Sequence, residues 1–191
     1  MKKIASIISI ILHPLIVTPS VFTILIYHDN IIYRDNISFI TSISFSTLIP
    51  FITFIFLKKY QLISDYNVSL REERILPLYL NSLYFLLGYL ILYFLNADII
   101  IQGLMFCYAA NTLLVAVITK VWKISLHAIS ISGPLTALWL DGFKFPVIMG
   151  LLIILVCISR LILKAHTINQ VLAGTLFAII FTYFELYLFF L

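Results

Sequence analysis

Apolar residues run along this chain in long unbroken blocks, not in the period-two alternation of a half-buried strand. Short polar stretches separate the blocks, and several blocks exceed the roughly 18 residues needed to cross a hydrocarbon core of about 30 Å. Backbone groups in such a core must pair within their own segment, so continuous apolar runs predict helices, whereas a barrel strand would alternate. The pattern gives crossings over residues 4–27, then to about 57, 95 and 120, and then over 124–140, 147–163 and 169–191. Pro14 and Pro19 are expected to kink the first, because proline lacks the N–H that an inner turn uses. The expected fold class is all-α: a polytopic transmembrane bundle of about seven crossings, or six if the first segment is re-entrant.

Composition sharpens this picture. Of 191 residues, 63% are hydrophobic and only 10% charged, where a soluble domain carries about a quarter charged residues. No polar stretch is long enough to fold separately, so residues 1–191 read as one membrane domain. Within it, residues 1–57 form an N-terminal helix pair and 58–191 a helical core. Lys2 and Lys3 precede an apolar run without a small-residue cleavage site, which predicts a retained helix and not a cleaved signal. Cys107 and Cys157 have no motif spacing and read as packing residues. The net charge of +4 belongs, in a membrane protein, to loops and anionic headgroups, and no nucleic-acid partner is expected.

Counting crossings brings three polar segments to one face. Residues 58–74, 120–127 and 159–166 are separated by two crossings each, and together they hold most of the ionisable side chains. Lys2, Lys3, Lys58, Lys59, Arg71, Arg74, Lys120, Lys123, Arg160 and Lys164 fall on that face, against Arg34 and Lys144 opposite. Setting aside four that chemistry would use still leaves six basic residues against two. A cytoplasmic site in a bacterial inner or plasma membrane is therefore expected.

The three segments read Arg71-Glu72-Glu73-Arg74-Ile75, then Lys123-Ile124-Ser125-Leu126-His127, then Ser159-Arg160, five residues, His166, three residues and Gln170. Guanidinium groups bind phosphate oxygens in pairs. A neutral imidazole can attack phosphorus, and a second can protonate the leaving oxygen. No ligand spacing for a metal is present, and no cofactor is implied.

These residues resemble the three motifs of the type 2 phosphatidic acid phosphatase superfamily, which includes the vanadium haloperoxidases. Ser159-Arg160 to His166 follows the third motif, with Gln170 where the family has Asp. Ser125-x-His127 follows the second, with Ile124 and Leu126 in place of Pro and Gly. Arg74 takes the Arg of the first motif, with Ile75 where Pro is usual and Asn67 where Lys is usual.

The resemblance implies a metal-independent lipid-phosphate phosphatase with the family's helical core. His166 would be the nucleophile, His127 the proton donor, and Gln170 the residue that orients His166. Arg74, Ser125 and Arg160 would hold the phosphate, with Arg71 or Lys123 replacing the missing Lys. Asp65 or Glu73 could supply the negative charge that Gln170 lacks. Candidate substrates are phosphatidic acid, phosphatidylglycerol phosphate, a polyprenyl diphosphate or a lipid A phosphate, among surrounding membrane lipids. Two other readings fit the residues: phosphoryl transfer to an acceptor other than water, and a degenerate member that binds anionic lipid. His13 reads as a packed or backbone-bonded histidine, Lys58, Lys59, Lys120 and Lys164 as snorkelling anchors, and Glu72 and Glu73 as partners of nearby Arg or water.

Overall fold

The computed structural model describes residues 1–28, 35–65 and 68–191. Part of the first polar turn (Asp29, Asn30, Arg34) and Asn67 of the first motif lie outside the described residues. The described residues form helices and turns, with no strand among them.

The order is α1 (Lys2–Ile11), α2 (Pro14–Tyr27), α3 (Asp35–Ile43), a π turn (Ser44–Leu48), α4 (Ile49–Lys59), a 3₁₀ turn (Glu72–Arg74), α5 (Ile75–Phe94), α6 (Ile99–Val121), α7 (Leu126–Leu140), α8 (Pro146–Ile162) and α9 (Ile168–Phe189). Helices occupy the apolar blocks to within a few residues. Four stretches are long and apolar enough to cross a membrane: Asn36–Lys59, Glu72–Phe94, Ile99–Val121 and Ile168–Phe189. The α1–α2 pair makes a fifth if it counts as one span. Large apolar side chains such as Leu83, Leu87, Leu90 and Phe94 on α5 stay exposed, as lipid-facing positions must be in an integral membrane protein.

Proline sets the breaks. The first block bends by 40° at Leu12–His13, directly before Pro14 and not at Pro19. Pro19 stays inside α2, which starts with Pro14 at its first position, where a missing N–H costs nothing. Pro50 follows the π turn, which links α3 and α4 into one long span.

Two packing relations place the site. Helices α2 and α7 run side by side in the same direction: His13 meets His127 at one end, and His28 meets Asp141 at 3.5 Å at the other. The start of α7 also docks on the start of α9. Ser125 N donates to the Gln170 carbonyl at 3.3 Å, and a Cβ on Gly174 would lie 2.9 Å from the Ser125 carbonyl. Only glycine permits that approach, and it draws the second and third polar segments together.

Candidate active site

The third polar segment turns at Lys164, whose φ of 54° lies in the left-handed region, and re-enters α9 through Thr167. Thr167 Oγ1 accepts from Gln170 N at 3.4 Å, and Gln170 Oε1 accepts from Thr167 N at 3.2 Å, a reciprocal capping box. The Thr167 N–H must face an oxygen, so the box fixes which way the Gln170 amide points. The same Oε1 lies 3.1 Å from His166 Nδ1 and accepts the proton there. His166 is thereby a neutral imidazole with its lone pair on Nε2. Its pKa is pushed down to about 4, chiefly by burial; the Gln170 bond opposes this, and Arg74, Lys123 and Arg160 add to it.

His166 opens into a cavity of about 350 Å³ that is also lined by Arg74, His127, Arg160 and His13. Arg74, Arg160 and His166 are each at least nine-tenths buried. Arg74 is aimed by carbonyl acceptors: Nε donates to Val68 at 2.7 Å and Nη1 to Ile124 at 3.4 Å. Val68 itself holds a φ of 47°, a costly conformation for a β-branched residue, beside this contact. Arg160 Nη1 donates to Ser9 Oγ at 2.7 Å, while its buried Nε has no hydrogen-bond partner. A buried guanidinium N–H left unpaired is costly, and an anion in the cavity would satisfy it.

The remaining sequence-predicted residues fall at different distances from this centre. Ser125 is fully buried, and its Oγ caps α7 by accepting from Ala128 N at 3.4 Å; it does not line the cavity. Lys123 is half-buried behind the site, its pKa lowered by burial and then by Arg74 and Arg160. Arg71 does not line the cavity. Its guanidinium donates to Glu72 at 2.9 Å and to the Val121 carbonyl at 2.8 Å, outside the cavity wall. Glu73 accepts from Ser64 N and Oγ, holding the first polar loop closed. Asp65 accepts from Ser69 N at 3.2 Å. Lys120 lies over the Tyr79 ring, 5.4 Å from its centroid, as a snorkelling side chain would. Among the described residues no three His, Cys, Asp or Glu side chains form a group able to hold a metal.

The sequence reads His13 as a packed or backbone-bonded histidine, and its Nδ1 does accept from Leu15 N at 3.2 Å; its place in the cavity wall was not foreseen. His13 sits at the break between α1 and α2, with its ring edge-on to His127 at 5.0 Å between centroids, and it lines the cavity. A His-Pro pair at an interruption in an apolar block was the available signal. The same applies to Ser9, buried in α1 and bonded to Arg160. The N-terminal pair and the core thus share one cavity.

Below this polar mouth the wall turns apolar. Pro50, Phe51, Phe54, Pro77, Leu78 and Phe85 line it, and Phe85 closes on Tyr108 at 5.5 Å between centroids. From Pro77 to Phe85 the lining follows α5 for roughly 12 Å.

The chain matches no protein-family model, no curated protein and no solved structure.

Proposed function

We propose that this protein is a membrane lipid-phosphate phosphatase that works through a phosphohistidine at His166. The observation that carries this reading is a single cavity in which His166, oriented by Gln170, faces two buried arginines and a second histidine above an apolar slot. A phosphate headgroup fits the first set of groups and an acyl or isoprenoid chain the second.

Electrostatics favours an anion there. His13, Ser125 and Thr167 are the N-caps of α2, α7 and α9, so three helix N-termini gather around the mouth. Each contributes roughly half a positive charge. Arg74 and Arg160 add full charges in a place where water screens them little.

In this mechanism the His166 Nε2 lone pair attacks phosphorus as the bond to the lipid oxygen breaks, and His127 gives that oxygen its proton. Water then attacks the phosphohistidine, His127 takes the proton back, and inorganic phosphate leaves. Arg74 and Arg160 offset the charge on the phosphoryl oxygens as it moves. Gln170 holds the Nδ1–H but brings no negative charge to the imidazolium that forms.

With the broken α1–α2 pair and the shorter α7 and α8 all counted, the chain crosses the bilayer seven times. The excess of basic residues on the cavity face supports a mouth on the cytoplasmic side. The test is phosphate release by purified protein from a panel of lipid phosphates, with radiolabel trapped on His166 and competing alcohols present. Release with alkali-stable, acid-labile label supports the phosphatase. Label passed to the alcohol in place of water makes it a transferase. Binding without label or release leaves an anionic-lipid receptor.

The lowered His166 pKa sets a pH dependence. Above about pH 4 the imidazole is neutral and attacks; below it, protonation removes the lone pair. The acid limb of kcat/KM is therefore expected near pH 4. Gln170→Glu keeps the length and the capping box but places a carboxylate on Nδ1–H. That limb is expected to rise by about one pH unit, with kcat/KM near neutrality rising about tenfold. An unshifted limb would separate Gln170 from the nucleophile.

A further inference from the structure

His13 does two things at once. Its Nδ1 accepts the Leu15 N–H at 3.2 Å and so caps α2. A ring that accepts at Nδ1 is neutral and carries its proton on Nε2. His13 also lines the same cavity as Arg160 and His166, and Arg160 Nε is buried there without a partner. Meanwhile Arg71 is held outside by Glu72 and the Val121 carbonyl, leaving the place of a further phosphate donor unfilled from the first polar segment.

We propose that His13 is a phosphate ligand of this cavity, donating its Nε2–H to a headgroup oxygen beside Arg160. The proposal rests on the phosphatase reading and adds a donor from a part of the chain outside the three polar segments. The 40° bend at Leu12–His13 turns the ring inward, and the α2 cap locks its tautomer before any ligand arrives. That preorganisation is what a phosphate site needs, since no ordering remains to be done on binding. The α1 helix strengthens the arrangement, because Ser9 holds Arg160 about one helical turn before His13.

Two substitutions separate the ring's two nitrogens. An Asn side chain places its amide near the Nδ1 position, and a Gln side chain places its amide near Nε2. His13→Asn keeps the α2 cap and removes the donor. His13→Gln supplies a donor and gives up the cap. Binding of inorganic phosphate to the full-length protein in detergent would be measured by calorimetry, with a thermal melt of each variant.

His13→Asn is expected to bind phosphate about tenfold or more weakly at unchanged melting temperature, the usual loss for a hydrogen bond to a charged group. His13→Gln is expected to bind within a few-fold of wild type but to melt lower. The same order should appear in KM for phosphatidic acid in mixed micelles, which separates headgroup recognition from capture of free phosphate alone. Wild-type affinity in His13→Asn would overturn the proposal and leave His13 as a cap. No phosphate binding by the wild-type protein would overturn the phosphatase reading together with it.

Discussion

Replacing His166 with alanine is expected to cut phosphate release by a factor on the order of 10⁴ or more while leaving anion binding largely intact. Removing a nucleophile deletes a chemical step, and catalytic groups that act as a unit fall together when one is lost. In the proposed site, anion affinity would come from other atoms: the guanidinium groups of Arg74 and Arg160 and the three gathered helix N-termini. Deleting the imidazole also removes the side chain that Gln170 orients, but not the capping box, which Thr167 and Gln170 close between themselves. The start of α9 should therefore stay folded, and a melt close to wild type is part of the expected result. Release that persists in His166→Ala would place the nucleophile elsewhere and end the phosphohistidine mechanism. Loss of both release and phosphate binding would make His166 a structural element of the mouth.

Arg160→Gln carries the second large effect, a fall in kcat of roughly 10³-fold, the scale on which a positive donor aimed at a transferring phosphoryl group acts. Two features single out this arginine. Its buried Nε has no hydrogen-bond partner within the protein, so a bond to phosphate there would not be offset by one it must first give up. Its Nη1 is already held by Ser9, so little side-chain freedom remains to be lost. Arg160→Lys should recover only part of the rate, because an ammonium has the charge without the planar pair of donors. Ser9→Ala, which leaves the guanidinium in place but frees it, is expected to fall between the two. Full activity in Arg160→Gln, measured as phosphate release at saturating substrate, would assign the residue to anchoring α1.

The helical blocks were legible because a bilayer leaves the backbone no alternative, and hydrophobicity alone then marks where helices run. The pairing of His166 with Gln170 was legible from their spacing, but not its cause: His166 precedes the N-cap of α9, and the capping box, not a shared helix face, brings Gln170 Oε1 to its ring. The division of labour between Arg71 and Arg74 was not legible. Their spacing puts them one turn apart, but Glu72 and the Val121 carbonyl capture the first, and that carbonyl arrives from a helix end fifty residues on. Ser125 shows the same limit in another form: a hydroxyl beside a histidine reads as a phosphate donor, yet here it caps α7. His13 was hidden because nothing local says that a bend in the first block will face α7. The direction of a bend is a tertiary property, decided by what α2 packs against.

The bond between Ser9 and Arg160 joins residues 151 positions apart. It ties the order of synthesis to the order of assembly. The first helix is made at the start and its partner near the end, so every intervening span must be inserted before the cavity can close. Closing so long a loop is entropically unfavourable and slow compared with pairing neighbouring helices such as α5 and α6. The outer bundle can thus form while the polar mouth still stands open, and the closed cavity becomes the last feature the chain acquires.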